Sequence, residues 1–449
     1  MNFTRVVFGF ALAGAAAFTA GCVSTRNDVR PVSTELERRS GYSVTNGPPG
    51  EVAWPAGVQL GDGLSEDEAV TLALWNNAAF QETLADLGLS RADLVQAGML
   101  PNPTLSMLIP VGAKPFELTA KYPLEVLWLR PGRVAAAKLE HERTTQRLVQ
   151  AGLDLIRDVR VAFADLLLAD RRFTLAGEML NLNQRIAALS QARLQAGDAS
   201  ELEAGAAGIE TLQAQEQLSR ARQDARIARD RLRHLTGLRP EQWPTGISES
   251  PFPTPPERDV TLLVTNALAS RPDLRAAELG LEAAGKRIGL ARAEAFTLAA
   301  GLNAKEVGKD FLSGPTLDLA VPIFNQNQGG IAQAQARFEK AARQYFTVRD
   351  RIVLEVREAH TRVAQARESC DQWRENILPP LAEAARQAEK SYDAGNVAYL
   401  FVLETSRKIH DARLKESAAT ADLRRAGAEL ERSVGRRLEA RATVLTPTE

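Results

Sequence analysis

Cysteine is almost absent from this chain of 449 residues, with one at position 22 and one at position 370. Two thiols are too few for a disulfide scaffold or a cysteine-rich zinc site. The histidines, His141, His234, His360 and His410, fall at no metal-ligand spacing. Neither a nucleophile elbow nor a phosphate-binding glycine loop occurs, so nothing points to an enzyme or a cofactor. No run of about 20 consecutive apolar residues exists, which excludes a polytopic bundle of membrane helices. An excess of one charge is missing too. With 55 Lys and Arg against 56 Asp and Glu, the net charge of −1 gives no case for nucleic acid. What is present is 45% hydrophobic and 25% charged. At roughly 150 residues per domain, that is two to four domains or one large symmetric one.

Residues 1–21 read as a secretory signal: Arg5 is followed by an apolar run, Val6 to Ala20, too short to span a bilayer. Thr19-Ala20-Gly21-Cys22 resembles a bacterial lipobox, in which a cysteine after small residues is lipidated and becomes the mature amino terminus. Thr19 departs from the usual Leu of that pattern, and an ordinary cleavage site is the alternative. Val23, rather than Asp, after the cysteine resembles the outer-membrane sorting outcome. Residues 22–63 are expected to form an extended arm without a regular element, because Pro31, Gly41, Gly47-Pro48-Pro49-Gly50, Trp54-Pro55 and Gly61-Asp62-Gly63 punctuate it.

A proline-rich stretch, 239–258, divides the remainder into two nearly equal parts, 64–238 and 259–437, followed by a tail, 438–449. The parts align. Ala73-Leu74 with Asn77-Ala78-Ala79-Phe80 matches Ala267-Leu268 with Arg271-Pro272-Asp273-Leu274. Tyr122-Pro123-Leu124 matches Val321-Pro322-Ile323. Leu194-Gln195-Ala196-Gly197 matches Tyr392-Asp393-Ala394-Gly395, and Thr236-Gly237 matches Val434-Gly435. Prolines and glycines kept in step over this distance indicate an internal duplication.

Within each part, periodicity predicts the elements. Ser65 with Glu68 forms a capping box that opens an amphipathic helix over about 65–98. Strict alternation then sets Leu105, Met107 and Ile109 against Thr104 and Ser106, and Phe116, Leu118, Ala120 and Tyr122 against Glu117, Thr119 and Lys121. The second part repeats it, with Leu298, Ala300 and Leu302 against Thr297, Gly301 and Asn303, and Leu317, Leu319 and Val321 against Thr316, Asp318 and Ala320. Each part therefore carries two strands, near 103–124 and 297–324, with one apolar and one polar face. From Gly132 to about Gln195, Val149, Ile156 and Phe163 recur every seven residues with Val159 and Leu166 between them. This is a coiled-coil seam on a helix of roughly 95 Å. Ile331, Phe338, Tyr345 and Ile352 repeat it over 328–393, where Pro379-Pro380 should break or kink the helix. Further helices follow Gly197 and Gly395. Four strands per chain cannot close a barrel, and an open edge is not tolerated in a bilayer, so closure requires other copies. Three would give twelve strands.

The order of elements, the duplication, Ala97-Gly98-Met99-Leu100-Pro101-Asn102-Pro103 before the first strand and the paired Ala-Gly turns resemble the TolC-like outer-membrane efflux factors. The resemblance implies a mainly α fold with a small β part: duplicated helical hairpins forming an α-barrel through the periplasm, and a homotrimer closing a twelve-stranded barrel in outer-membrane lipid. It implies a periplasmic adaptor (membrane fusion protein) and an inner-membrane transporter, with the junction and arm looking like the heavy-metal cation branch and an RND-type transporter. Drugs, organic molecules and polypeptides stay open as cargo, and a type I secretion exit channel is the nearest alternative. A periplasmic adaptor or scaffold is a weaker one, since an adaptor has one helical hairpin and this chain has two. The resemblance makes Gly197 and Gly395 the adaptor-docking tips, although plain helix ends also use glycine there. It makes Glu203, Tyr392, Phe401 and Glu404 the candidate pore constriction. Val397 and Phe401 depart from the Arg and Asp of better-studied members, and solvated helix surface is the other reading of both glutamates.

Acylation of Cys22 should hold the mature chain in the membrane, because several acyl groups together anchor stably where one does not. Mass spectrometry of the mature amino terminus should find a diacylglycerol-modified Cys22; an unmodified terminus, or a start at another residue, would rule lipidation out.

Overall fold

The computed structural model describes residues 28–47, 50–109, 115–244, 246–248, 258–308, 310–393 and 399–438. In chain order the elements are α1 (Arg30–Ser40), α2 (Glu66–Asn76), α3 (Ala78–Gly98), β1 (Thr104–Leu108), β2 (Glu117–Pro123), α4 (Val126–Ala196) and α5 (Glu201–Thr236), then α6 (Val260–Ser270), α7 (Pro272–Ala293), β3 (Thr297–Val307), β4 (Asp310–Ala320), α8 (Gln328–Asp371), α9 (Leu378–Asp393) and α10 (Tyr399–Val434). The chain forms two compact units. One gathers Leu84–Thr145 and Ala276–Tyr345, with the strands; the other gathers Val29–Thr83, Gln146–Arg275 and the chain from Phe346 onward. Cys22 and the signal segment, Gly395 and Val397, and the tail after 438 lie outside the described residues. No described helix is long and apolar enough to cross a membrane.

Two expectations need correction and a third needs sharpening. The arm is not wholly extended, because α1 occupies Arg30–Ser40. Pro31 sits in the first turn, where its missing N–H costs nothing, and Gly41 at φ 82° ends the helix, so both residues delimit it rather than prevent it. The predicted helix over 65–98 opens on its capping box, with the Ser65 hydroxyl accepting from the Glu68 N–H and the Glu68 carboxylate from the Ser65 N–H. It is nonetheless two helices, divided at Asn77. Finally, the interruption expected at Pro379-Pro380 is present, but as a widened turn just before the prolines rather than as a break in the helix. A π turn, Gln372–Ile377, joins α8 to α9, and Leu378 N–H reaches back to the Trp373 carbonyl. The prolines supply no N–H to the carbonyls of Glu375 and Asn376, and the wider turn absorbs the mismatch.

In the second unit the seam residues Val149, Ile156, Val159, Phe163 and Leu166 of α4 are buried, and Ile352, Val356, Ala359, Val363, Ala366 and Cys370 continue a buried 3.5-residue period along α8. The cysteine is one knob of that seam. By contrast the first turns of the predicted α8 seam are less covered: Phe338, beside Gly285, is 38% exposed, and Ile331 and Tyr345 are half-buried. Ion pairs tie α10 antiparallel to α4: Glu178 with Arg413, Asp165 with Arg425, Arg157 with Glu429 and Asp154 with Arg432. Position rises in one helix as it falls in the other. Most are part-exposed and each contributes at most about 1 kcal/mol, so they set register while the apolar seam supplies the stability.

The duplication is visible in the joints. Asn77 caps α3 through Oδ1, which accepts the Phe80 N–H at 3.0 Å, and its amide donates to the Leu235 carbonyl at 3.0 Å. In the second repeat Arg271 holds the equivalent place and donates to the Ser433 carbonyl at 3.1 Å. Its side chain is fully buried against Asp273 and Glu355, each at 2.6 Å, and Arg432 also reaches Glu355, at 2.9 Å. Breaking such a pair leaves a buried charge uncompensated, at about 3–5 kcal/mol.

The arm packs on residues from both repeats. Leu36 lies so close to Gly152 that a Cβ there would come within 2.9 Å of it. Arg39 donates to the Ser270 carbonyl, and its own carbonyl accepts from Arg437 at 2.8 Å. Tyr42 donates to Asp67; burial pushes its phenol up to about 12 against the pull of Arg160, so it stays protonated and donating.

Gly237 ends α5 at φ 68°, and a Cβ would lie 2.3 Å from the Asn76 carbonyl oxygen. Gly237→Ala should therefore destabilise by more than about 2 kcal/mol. Gly208→Ala, mid-helix with open space around it, should stabilise by about 0.5–1 kcal/mol. Thermal unfolding of the two variants in detergent should move the midpoint in opposite directions.

Candidate functional site

Two places carry candidate function: the sheet, and the turn between α4 and α5 together with the start of α10. The sheet has the order β1-β2-β3-β4, antiparallel throughout, with β1 and β4 as open edges. Register pairs Leu105 with Ala120, Ala120 with Leu302 and Leu302 with Pro315. One step along, it pairs Tyr122 with Ala300 and Ala300 with Leu317. These share one face, and their large members are bare: Leu105 is 65% exposed, Leu302 60% and Leu317 67%. The Phe116 and Phe311 rings meet edge to face at 6.0 Å beside the β3–β4 turn, and Phe296, Ile323 and Phe324 stand exposed where the strands enter and leave the helices. Apolar rows flanked by aromatic residues at both levels match a lipid-facing wall.

The other face is polar and internally bonded. Asn303 donates to Glu117 at 2.7 Å and to Thr119 at 3.0 Å, and Lys121 pairs with Asp318 at 2.8 Å. The alternation predicted both faces but not the pairing of Lys121 with Asp318, which reaches across β3 and depends on strand order and register.

At the α4–α5 turn, Gly197 takes φ 83°, its N–H donating to the Leu194 carbonyl and the Asp198 N–H to the Arg193 carbonyl. Two successive bonds back into the last turn make a Schellman-type end, which needs a residue without a Cβ. Ser200 then caps α5, accepting from the Glu203 N–H at 3.2 Å. Glu203 is half exposed and pairs with Arg193 at 3.3 Å, and Arg193 also donates to the Asp198 carbonyl. Glu404, exposed, pairs with Lys408 one helical turn on, at 3.2 Å. Phe401 is 54% exposed. Tyr392 lies in the last turn of α9. Leu403 is buried with Ile186 and Ala207, and Arg407 pairs with Glu210, so the start of α10 rests on the α4–α5 hairpin. Sequence reasoning missed the basic partners. The spacing of Glu404 and Lys408 carried a signal, but Arg193 meets Glu203 only because the chain reverses between them.

No cluster of described residues could hold a metal ion. The Ser90 hydroxyl lies 3.0 Å from the Leu87 carbonyl and 2.9 Å from His141 Nδ1, an isolated pair between two helices.

Comparison with known proteins agrees with this geometry. The family model described as outer membrane efflux protein matches residues 69–238 and again 263–436, once per repeat. The cobalt-zinc-cadmium resistance protein CzcC of Cupriavidus metallidurans is 24% identical over 379 residues, covering 83% of this chain and 90% of its own length. The pyoverdine export outer membrane protein OpmQ of Pseudomonas putida is 27% identical, covering 71% and 70%. The crystal structure of the Campylobacter jejuni CmeC outer membrane channel superposes with a TM-score of 0.69 at 14% identity, covering 88% of this chain and 94% of that one. A duplicated chain with one lipid-compatible sheet face, matched in both repeats, belongs to the outer membrane efflux protein family.

Proposed function

We propose that this chain is the exit duct of a tripartite efflux system, three copies closing one channel through the outer membrane. The observation that carries the reading is the four-stranded sheet with a bare apolar face and two open edges. In hydrocarbon each unpaired edge amide costs several kcal/mol, roughly the amount that drives closure. An even number of antiparallel strands places β4 of one copy antiparallel to β1 of the next, so cyclic repetition closes without a parallel mismatch. Three copies supply twelve strands, and the part-exposed Phe338 on α8 fits the same assembly. A periplasmic adaptor docks at the Gly197 and Gly395 turns, and an RND-type inner-membrane transporter supplies the energy. Divalent metal cations are the proposed cargo, supported by the match to CzcC over most of both chains. Cys22 adds a lipid anchor to the barrel.

Glu203, Tyr392, Phe401 and Glu404 line the periplasmic constriction in this reading. Each glutamate already holds a basic partner, Arg193 or Lys408, so the ring is a set of half-exposed pairs rather than bare carboxylates.

Crosslinking in detergent should give trimers, and a monomer that keeps its full β content would sink the assembly. In planar bilayers the double variant Glu203→Gln, Glu404→Gln should lower the cation-over-anion permeability ratio by roughly twofold with trimers intact. Unchanged selectivity would return both residues to solvated helix surface.

A further inference from the structure

The polar sheet face carries an ordered set of charges. In the strands Glu117 and Lys305 are direct cross-strand partners, Asp310 lies opposite Val307 beside the β3–β4 turn, and Lys121 and Asp318, toward the other end of this face, are not direct partners. Lys121 lies opposite Thr104 on one side and Gly301 on the other, whereas Asp318 lies opposite Ala299, two strands away from the lysine. To reach the carboxylate at 2.8 Å, the lysine side chain passes over β3. It does so at Gly301. A Cβ there would stand 3.2 Å from Lys121 Cγ, 2.7 Å from Thr316 Oγ1 and 2.6 Å from the Ala120 carbonyl oxygen. Thr316 Oγ1, in the same gap, is sealed from solvent without a hydrogen-bond partner. Glycine thus opens a passage across the central strands, and the lysine stem fills it. Both charged ends remain about half exposed, at 49% and 54%.

We infer that the Lys121–Asp318 pair, laid across β3 through the gap at Gly301, is the charge determinant of the strand lumen at that level and holds it near neutrality there. The inference rests on the channel reading above. When the apolar face meets lipid, the polar face lines the water path. Each copy then contributes Lys121 and Lys305, Glu117, Asp310 and Asp318 from its strands to that wall, two cations and three carboxylates, and at the level of Gly301 the three bridging pairs form a belt in which each charge is cancelled by its neighbour. A neutral belt neither concentrates nor repels ions, so charge discrimination is left to other parts of the duct. Removing one member unmasks three like charges at a single level of a narrow passage, where their fields add.

The test is reversal potential across a planar bilayer under a potassium chloride gradient, with trimers verified by crosslinking for each protein. Lys121→Gln exposes Asp318 and should raise the cation-over-anion permeability ratio at least about twofold. Asp318→Asn exposes Lys121 and should shift the ratio comparably the other way. The double variant should return to the parent value, and all shifts should shrink in high salt. Conducting trimers whose reversal potential ignores both single substitutions would overturn the inference while leaving the channel reading standing. Failure of the parent itself to conduct as a trimer would remove the channel reading and the inference with it.

Discussion

A backbone amide that leaves water must find another partner, and in hydrocarbon no loop or side chain supplies one at low cost. This chain meets that constraint on β2 and β3 and leaves it unmet on the outer edges of β1 and β4. The bare leucines of one face, the bonded polar residues of the other and the aromatic flanks follow the same division of labour. In the proposed duct the protomer is completed by copies of itself, and its strands carry side chains suited to surroundings that one copy does not provide.

Duplication supplies two similar halves, but the joints show that they have diverged in chemistry while keeping geometry. Asn77 and Arg271 both stand between two helices and both grip a carbonyl two residues ahead of a left-handed glycine, Gly237 or Gly435. An asparagine satisfies that carbonyl with a neutral amide. An arginine brings a buried charge with it, and the second repeat has accordingly gathered Asp273 and Glu355 around it. Because Glu355 also binds Arg432, which binds Asp154, the compensation runs into both long helices, α8 and α4. Such a network specifies which helices neighbour which more than it adds net stability.

The α4–α5 turn illustrates how acidic residues at helix starts acquire their partners. Glu203 lies in the first turn of α5, where the helix dipole favours a carboxylate, and the reversal at Gly197 brings Arg193 back to it. Glu404 on α10 meets Lys408 on its own helix instead. The two acids are therefore supported differently, one by chain reversal and one by helical repeat.

Much of this was legible in the amino-acid sequence because it depends on neighbours a few residues away. Alternation across 104–122 and 297–320, the heptads through Val149, Ile156 and Phe163, the capping box at Ser65 and the matching Gly197, Gly237 and Gly435 are local patterns, and local patterns survive in a one-dimensional record. Proline was harder to read. Pro31 opens a helix and Pro379-Pro380 only widens one, since the effect of a missing N–H depends on whether a carbonyl was waiting for it. Tertiary structure alone decided the contacts between distant residues: the crossing of Lys121 to Asp318 over Gly301, the buried placement of Arg271 between Asp273 and Glu355, and the seating of Leu36 on Gly152. Strand order and helix adjacency are set by how many apolar faces can be buried at once, a sum over the whole chain that no single segment encodes.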